Sequence, residues 1–366
     1  MIAFVCNSPV QIVRAIHLHL RISGFTEPAD IFVSDLFPGS TQLVDNLNTT
    51  GFFNSACLVN QSGIDSKKMH SIVFSNTFSS KNKYCKIVAF NAGSKLIDAL
   101  YNLNKHTPGF EYHCVEDGPS IYKIPEYPDY AFYHPYRLLG LQHAYFHITN
   151  WWTSCPDFID VPESYHTNKK YLPPIDYKDD ELVNLINVVF GYKENKKLSE
   201  ADVLIMDESH YQDNLMIDDA DYKLYMRILE RYPHAKFLMK MHPRTQHNRY
   251  VGKIDIMENS YIPWEVYVMN RARQNSRELI QISISCGTMF SDKLMFGYEG
   301  TKIFTAPLFY DSIKDTNDGA PRVSPEGTKK IERFRSTYNK PDQFVITYSE
   351  DELFATLDKR LNTSSN

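Results

Sequence analysis

Short apolar segments that alternate with amphipathic segments are the feature that most restricts the fold of this chain. Residues 2–6 form a continuous apolar run, which is typical of a buried strand. Asn7-Ser8-Pro9 then opens a helix predicted to end near Ile22, with Ser8 as its N-cap and Pro9 at its first position. Strand, helix and strand in this order indicate parallel βαβ units. The pattern therefore predicts an α/β fold.

The same alternation continues along both halves of the chain. In the first half it predicts strands at 31–34, 71–75, 86–90 and 111–115, and a helix at 94–104. In the second half it predicts strands at 202–206, 236–241, 279–284 and 302–305. Helices are predicted at 179–190, 221–231, 264–273 and 288–296, and a capping box at 349–352 begins a last helix that ends near Leu361.

A change of composition divides the chain into domains. At 366 residues it is long enough for two domains that each bury a core, and prolines and charges dominate the segment 156–199. We predict an N-terminal Rossmann-like domain at 1–155, a linker at 156–199, a C-terminal Rossmann-like domain at 200–348 and a closing helix at 349–366. Two parallel-sheet domains joined in this way are expected to face each other across a cleft lined by strand ends.

The charge and the cysteines exclude several classes of protein. A net charge of −5 differs from the basic balance of nucleic-acid-binding proteins, so we expect no nucleic-acid partner. The six cysteines show no paired spacing, which indicates reduced thiols. The first residues lack the basic segment of a signal peptide, and no apolar run is long enough to span a bilayer. We therefore expect a cytoplasmic protein.

The triplet Glu116-Asp117-Gly118 follows the predicted strand 111–115. Two acids and a turn glycine at the carboxyl end of a strand present one carboxylate to a ligand, and the glycine permits close approach of the backbone. Such a carboxylate can accept a proton from an attacking hydroxyl. An ordinary Asp-Gly turn explains the same residues and is the alternative.

His242 follows the predicted strand 236–241 and precedes Pro243. Proline ends the strand because it has no N–H to donate, and it biases the preceding residue toward extended geometry. A histidine fixed at this end can donate a proton near neutral pH or hold an anionic leaving group. The pair is repeated at His134-Pro135, so a chance occurrence is the alternative.

The run 283–290, Ser-Ile-Ser-Cys-Gly-Thr-Met-Phe, joins a predicted strand directly to a predicted helix. Backbone amides at a helix N-terminus bind anions, and the hydroxyls of Ser285 and Thr288 add donors beside Gly287. Ordinary N-capping by either hydroxyl needs no ligand and is the alternative. The run lacks the lysine of a Walker loop and the spacing of GxGxxG, which excludes an ATPase or dinucleotide signature.

Other polar residues have weaker patterns. Glu265 falls in the first turn of the predicted helix 264–273, where the dipole favours a carboxylate and where a ribose diol can be gripped. Asp219 and Asp221 form an Asp-x-Asp pattern, but they precede a helix and are expected to cap it. His17 and His19 are two positions apart in a helix and do not share a face. We therefore expect no metal and no other cofactor.

These segments, in this order, resemble the bacterial sialyltransferases, two-domain enzymes of the GT-B fold that transfer sialic acid from its CMP-activated form. The resemblance rests on Asn-Ser-Pro-x-Gln at 7–11, the acid-acid-Gly triplet, Lys-x-His-Pro at 240–243, Pro-aromatic-Glu at 263–265 and the hydroxyl-rich turn. It spans roughly residues 1–310. The most similar branch is the lipooligosaccharide sialyltransferase type, to which capsular polysialyltransferases and marine-type enzymes are related.

The resemblance implies roles for individual residues. Asp117 matches the catalytic base, His242 the general acid or phosphate partner, and Glu265 the acid that binds the ribose. The donor-binding residues it implies are Lys240, Pro243, Glu265, Ser285, Gly287, Thr288, Asn7 and Ser8. The acceptor-side residues are Glu116, Gly118 and Gln11. The family's adjacent serines are absent from the turn, which leaves the phosphate-binding hydroxyl open.

The implied activity is metal-independent, inverting transfer of sialic acid to a hydroxyl of a lipooligosaccharide, O-antigen or capsule. A CMP-sugar suits such a site because its single phosphate carries one negative charge. The implied partners are a CMP-activated donor and an oligosaccharide or glycolipid acceptor, and a homodimer is left open. The alternatives are a GT-B transferase that uses another CMP-nonulosonate, Kdo or a nucleotide hexose, a nucleotide-sugar epimerase, and a carbohydrate-binding protein on an inactive scaffold.

A locally basic cluster interrupts the acidic sequence. Its members are Lys223, Arg227, Arg231, Lys236, Lys240, Arg244, Arg249 and Lys253. Each cation at an anionic lipid surface adds about 1 kcal/mol. We therefore expect weak, salt-sensitive contact with the inner membrane, and a solvated helix face is the alternative.

Overall fold

The computed structural model describes residues 1–61, 83–90, 94–122, 140–159, 167–242, 245–257, 261–274, 276–314 and 323–363. The predicted strand at 71–75, the pair His134-Pro135, and residues Pro243 and Arg244 lie outside this described part. Contacts divide the chain into two compact units. Unit 1 consists of Met1–Tyr192, Tyr261–Arg273 and Leu294–Phe296, and unit 2 consists of Lys193–Ser260, Gln274–Lys293 and Gly297–Asn366.

A seven-stranded parallel sheet forms the centre of unit 1. Its strands are β1 (Ile2–Cys6), β2 (Ala29–Ser34), β3 (Ser55–Val59), β4 (Lys86–Ala89), β5 (Glu111–Val115), β6 (Asn150–Thr153) and β7 (Asn168–Tyr171). They lie in the order β3-β2-β1-β4-β5-β6-β7, and every pairing is parallel. The order changes direction between β1 and β4, and open α/β sheets bind ligands at the carboxyl ends of the strands at such a point.

A six-stranded parallel sheet forms the centre of unit 2. Its strands are β8 (Val203–Met206), β9 (Phe237–Lys240), β10 (Asp255–Ile256), β11 (Ile280–Ser283), β12 (Lys302–Phe304) and β13 (Phe344–Ile346). The order β10-β9-β8-β11-β12-β13 changes direction between β8 and β11. Both sheets have the strand order of a Rossmann-like domain. The predicted pair of Rossmann-like parallel sheets is confirmed, while the cleft between them stays a prediction.

The helices of the described residues connect these strands. They are α1 (Pro9–Arg21), α2 (Ser40–Thr50), α3 (Lys95–Asn104), α4 (Asp180–Phe190), α5 (Lys196–Glu200), α6 (Ala220–Arg231), α7 (Trp264–Arg273), α8 (Ser291–Phe296), α9 (Pro325–Arg333) and α10 (Glu350–Thr363). Local sequence explains several starts. Pro9 takes the first position of α1 after an extended Ser8. The Ser94 hydroxyl accepts the Ile97 N–H at 3.2 Å before α3.

The predicted elements that fall within the described residues are confirmed to within two residues at each end, with one exception. The helix predicted at 288–296 is a 3₁₀ turn, Gly287–Phe290, followed by the six residues of α8. The segment 156–199 contains β7 and α5 in addition to the predicted helix α4. The apolar pattern does not reveal β7 because Asn168–Tyr171 is exposed along its whole length. Elements that the pattern did not predict also include α2, α9, β3, β6, β10 and β13.

Helix α7 belongs to unit 1, although the residues that flank it along the chain belong to unit 2. It packs against α1 and α4. Asn270 on α7 exchanges hydrogen bonds of 2.9 and 2.8 Å with Asn187 on α4. This arrangement differs from the predicted continuous domain at 200–348, because the packing of the helix, and not its position in the chain, determines which core it joins.

A buried ion pair joins α8 to β12 in unit 2. Lys302 is 0% exposed and its ammonium contacts the carboxylate of Asp292, which is 1% exposed. Gln281 Nε2 on β11 donates to the same carboxylate at 3.3 Å. Burial raises the pKa of Asp292 and lowers the pKa of Lys302, while their mutual attraction opposes both shifts. The free energy of unfolding of unit 2 therefore depends on keeping the two charges together.

Lys302→Met is expected to lower the free energy of unfolding by about 3–5 kcal/mol, because it leaves the Asp292 carboxylate buried without a counter-charge. Adding Asp292→Leu is expected to restore most of the loss. Urea unfolding at pH 7 followed by circular dichroism measures both changes. Lys197→Met is the matched control, because Lys197 pairs with Asp255 at the surface and both are more than half exposed. This account would be contradicted if Lys302→Met lowered the free energy of unfolding no more than Lys197→Met does.

Candidate functional site

Acidic residues gather at the carboxyl edge of the unit 1 sheet, beside the change of strand direction. Asp117 follows β5, and its Oδ2 accepts a hydrogen bond of 2.6 Å from Gln11 Nε2 on α1. Gln11 is 2% exposed, and its Oε1 accepts the Asn7 N–H at 2.5 Å. The end of β1, the start of α1 and the end of β5 are thus tied together by one glutamine side chain.

The Asp117 carboxyl group has a pKa of about 6, above its ordinary value of 3.8. Burial is the main cause, and the nearby carboxylates of Glu116 and Glu265 raise the pKa further. The hydrogen bond from Gln11 and the backbone amide of Asp117 itself lower it, because both stabilise the ionised form. A carboxylate with this pKa is ionised at neutral pH and still basic enough to take a proton.

Glu116 has a different environment from its neighbour. It is 1% exposed, and its Oε2 accepts hydrogen bonds from the Tyr122 hydroxyl at 2.6 Å and from the Ser154 N–H at 2.5 Å. Burial raises the pKa of Glu116, while the charge of Arg14 and these donors oppose the rise. The carboxylate is therefore held inside the fold, and Asp117 is the acid of the triplet that is more open to a ligand.

Arg14 lies among these acids and is 0% exposed. Its Nη2 donates to the carbonyl of Leu294 at 3.1 Å, and among the described residues its Nε and Nη1 have no hydrogen-bond partner. Burial lowers the pKa of Arg14, and the charges of Glu116, Asp117 and Glu265 oppose that change. The guanidinium is the buried counter-charge of the three carboxylates.

The other predicted residues of this region lie at the same edge. Glu265 is 5% exposed in the first turn of α7, and its charge acts on both Asp117 and Arg14. Asn7 and Ser8 directly follow β1. A Cβ added to Gly118 would meet no atom of the described residues within 4 Å, so this part of the fold leaves the backbone there open to close approach. The structure therefore brings together the residues predicted for the first triplet, the start of α1 and Glu265.

The carboxyl edge of the unit 2 sheet carries the remaining predicted residues. Lys240 ends β9, and His242 lies two residues beyond it with its carbonyl accepting the Thr245 N–H at 2.9 Å. Ser285, Gly287 and Thr288 follow β11, which is separated from β9 by β8 alone. Burial and the charge of Glu208 raise the pKa of Cys286, within this loop, to about 11, and Lys240 opposes the rise. Lys240 and the hydroxyl-rich loop therefore share one edge.

Glu208, which follows β8, accepts hydrogen bonds from the hydroxyl-rich loop after β11. Its Oε1 accepts the Ser285 N–H at 2.5 Å and the Ser283 hydroxyl at 2.8 Å, and its Oε2 accepts the Ser285 hydroxyl at 3.0 Å. His210 Nε2 lies 3.2 Å from Oε2. Burial raises the pKa of Glu208, but His210 and the hydrogen bonds from Ser283 and Ser285 outweigh burial and leave the pKa below its ordinary value. The carboxylate is therefore a fixed negative charge next to the Ser285 amide.

The Asp-x-Asp pattern has a structural partner. Both Asp219 and Asp221 contact the guanidinium of Arg249, whose planar face also lies 3.8 Å from the centroid of the Tyr211 ring. Burial raises the pKa of Asp207, beside this network, to about 7, and the charge of Asp221 adds to the rise. The described residues hold no group of three or more His, Cys, Asp or Glu arranged to bind a metal. A metal-independent site stays a prediction.

Sequence reasoning missed Arg14, Asp207, Glu208 and His210. Arg14 lies three residues after Gln11 on the same face of α1, and a charge on a buried helical face was the available signal. Asp207, Glu208 and His210 follow a buried strand in the same way as the triplet after β5. Acids at the carboxyl end of a parallel strand were therefore the signal in both units.

The basic cluster is partly neutralised in the structure. Arg227, Arg231 and Lys236 form ion pairs with Glu350, Asp358 and Glu200. Arg249 is also paired, as described above. None of the helices in the described part of the chain is long and apolar enough to cross a membrane. Peripheral membrane contact stays a prediction. Among the residues that the structure describes, four of the eight basic residues of the cluster form ion pairs with acidic residues.

Solved structures of two kinds of enzyme share this fold. The GT-B domain of a sialyltransferase from Photobacterium damselae is similar with a TM-score of 0.51 at 13% identity, over 94% of this chain and 99% of that chain. The 2,6-sialyltransferase of Photobacterium sp. JT-ISH-224, solved with CMP and lactose, has a TM-score of 0.51 at 10% identity, over 94% and 78%. The UDP-GlcNAc 2-epimerase of Methanocaldococcus jannaschii, solved with UDP-GlcNAc and UDP, has a TM-score of 0.51 at 13% identity, over 99% and 92%.

These likenesses establish the class of fold. No family model and no curated protein matches the sequence. The predicted GT-B-like α/β fold, with parallel sheets of seven and six strands, is confirmed. Each of these structural neighbours is an enzyme, and the fold is common to sialyltransferases and to UDP-GlcNAc 2-epimerases.

Asp117→Asn is expected to stabilise unit 1 at pH 8. The pKa of Asp117 is about 6 in the folded chain and has its ordinary value of 3.8 in the unfolded chain. Between these two pH values the folded chain binds more protons than the unfolded chain, so the free energy of unfolding falls as the pH rises from about 4 to 6. Asparagine removes the buried charge and keeps an oxygen for Gln11. We expect a gain of about 1–3 kcal/mol at pH 8 that shrinks toward zero at pH 4.

Thermal melting of Asp117→Asn and the unmodified protein at both pH values measures this difference. Asp255→Asn is the control because Asp255 is 65% exposed, and it should change neither melting temperature. A melting temperature for Asp117→Asn below that of the unmodified protein at pH 8 would show that the carboxylate is not a source of instability.

Proposed function

We propose that this protein is an inverting glycosyltransferase that transfers sialic acid from CMP-sialic acid to a hydroxyl of a bacterial surface glycan. The observation that carries the proposal is the Asp117 carboxylate after β5, which Gln11 holds and whose pKa is about 6. In the reaction the acceptor oxygen bonds to the anomeric carbon, and the bond from that carbon to the phosphate oxygen breaks. CMP leaves with the electron pair, and the acceptor's proton moves to Asp117.

The donor side is proposed for unit 2. His242 would stabilise or protonate the departing phosphate, and Lys240 would add a positive charge at the same edge. Gly287 and Thr288 would donate to the phosphate, whereas the Ser285 amide is already bonded to Glu208. Glu265 is proposed to bind a ribose diol.

Glu208 supports a donor with a single phosphate. Its ionised carboxylate is fixed beside the proposed phosphate loop by three hydrogen bonds. A fixed negative charge there repels a nucleoside diphosphate more strongly than a phosphodiester that carries one charge. This charge therefore favours a CMP-sugar over a UDP-sugar.

A nucleotide-sugar epimerase is the second candidate. The likeness to the UDP-GlcNAc 2-epimerase covers 99% of this chain at the same TM-score as the sialyltransferases. An epimerase would act on its nucleotide sugar with no acceptor present. Nuclear magnetic resonance of UDP-GlcNAc incubated with the protein alone distinguishes the two functions, because an epimerase would produce a new anomeric signal.

Donor preference is testable by calorimetry. We expect the purified protein to bind CMP without added divalent metal, and EDTA to leave this binding unchanged. UDP should bind at least about tenfold more weakly, a difference of about 1.4 kcal/mol. Glu208→Gln should narrow that ratio because it removes the negative charge and keeps an amide of similar shape.

Two results would redirect the proposal. Binding that EDTA abolishes and manganese restores would require a metal-dependent donor site. Tighter binding of UDP than of CMP would favour the epimerase.

The catalytic roles are testable by turnover. Asp117→Asn is expected to lower the rate of CMP release with a glycan acceptor by roughly 10²–10⁴, the usual contribution of a general base, while CMP affinity stays nearly constant. His242→Ala should lower the rate comparably and weaken CMP binding. The assay measures CMP release from CMP-sialic acid in the presence of a panel of acceptor oligosaccharides, and Asp255→Asn serves as the control. Near-normal turnover of Asp117→Asn would exclude Asp117 as the base.

A further inference from the structure

We propose that Gln11 is the positioning residue of Asp117: it binds one carboxylate oxygen and thereby aims the other at the acceptor hydroxyl. This inference rests on the function proposed above, and it gives Gln11 a role in aligning the base rather than in binding the acceptor. Three features carry it, namely the fixed orientation of the Gln11 amide, its burial, and the charges that surround Asp117.

The orientation of the Gln11 amide is determined by its two neighbours. The Asn7 N–H is a donor and must meet the oxygen Oε1, which lies 2.5 Å away. The nitrogen Nε2 then faces Asp117 Oδ2 at 2.6 Å. The flipped amide would place two donors together at Asn7 and two acceptors together at Asp117, which is unfavourable at both ends.

Burial and the helix start hold this amide in place. Gln11 is 2% exposed and lies in the first turn of α1, whose start Pro9 fixes at the end of β1. The Asn7 N–H comes from the segment between β1 and α1, so backbone and side chain move together. Gln11 is therefore a rigid donor, and Asp117 needs no rearrangement to present its second oxygen.

Gln11 is the neutral member of a charged environment. Among the described residues, five titratable groups interact electrostatically with Asp117: Cys6 on β1, Arg14 on α1, Cys114 on β5, Glu116 after β5 and Glu265 on α7. Glu116 and Glu265 favour the protonated form of Asp117, and the Gln11 hydrogen bond favours the ionised form. The glutamine therefore keeps the base ionised while the neighbouring acids keep it basic. The acceptor's proton passes to the second oxygen and then to solvent after the product leaves.

Gln11→Glu tests this role directly. Glutamate keeps an acceptor for the Asn7 N–H but places a second carboxylate against Asp117, so the two acids share a proton. The acid limb of the kcat profile should move up by about one pH unit or more, which lowers turnover at pH 6.5 at least about threefold. Turnover at alkaline pH should also fall, because an ionised glutamate has no proton to donate to Asp117. The KM for the donor should change less than about twofold, because the role proposed for Gln11 is to align Asp117 and not to bind the donor.

Gln11→Met supplies a second variant in case the glutamate variant folds poorly. It fills the same volume without a donor, so turnover should fall at every pH and the acid limb should move less than in Gln11→Glu. Gln42→Glu is the matched control, because Gln42 is exposed on α2 and, among the described residues, its side chain bonds only to Asn46, at 2.9 Å. It should leave the pH profile unchanged.

A readout that does not require turnover separates this inference from the proposed function. Carbon-13 nuclear magnetic resonance of a protein labelled at its aspartate carboxyl groups follows the titration of Asp117 in each variant. The signal of Asp117 is assigned as the one that disappears in Asp117→Asn. An upward shift of that titration in Gln11→Glu supports the positioning role even if the unmodified protein transfers no sugar, in which case the proposed function alone fails. An unchanged titration and an unchanged pH profile in Gln11→Glu would overturn the positioning role even in an active transferase.

Discussion

Parallel pairing of every strand is the constraint on which the rest of this structure depends. Because all described strands of a sheet point the same way, their carboxyl ends lie at one edge of the sheet. Each unit accordingly carries its acids there, at Glu116 and Asp117 in unit 1 and at Asp207 and Glu208 in unit 2.

Buried charge at these edges is stabilised by protein groups held in fixed positions. Glu116 accepts from a hydroxyl and an amide, and Glu208 accepts from two hydroxyls and an amide, with His210 Nε2 3.2 Å from its carboxylate. Arg14 provides the counter-charge among the unit 1 acids. Asp117 differs because Gln11 is its one side-chain donor among the described residues, so burial dominates its pKa. Two adjacent acids thus acquire different chemistry from their surroundings, as acid and base pairs in active sites commonly do.

Much of the fold could be predicted because its signals are local. The run of β1, the Ser8-Pro9 helix start and the capping box before α10 each depend on residues that are neighbours in the chain, and all three lie at the predicted positions. The Ser8 hydroxyl, however, accepts no capping hydrogen bond from the described residues. The exposed strand β7 and the three-residue strand β13 carry no such signal. Their pairing is determined by strands far away in the sequence, which a local pattern does not reveal.

The sequence by itself determined the α/β class, the two parallel sheets and the acids at the strand ends, because strand length, helix periodicity and turn residues are properties of short segments. Only the tertiary structure decided that α7 and Glu265 join unit 1, that Arg14 is the buried counter-charge, and that Glu208 takes the Ser285 amide. The donor-binding and catalytic roles of these residues are part of the proposed function. The physical reason for the division is that pKa values and hydrogen-bond partners depend on groups from different elements of the fold, as in the bond between Gln11 and Asp117, which are 106 residues apart.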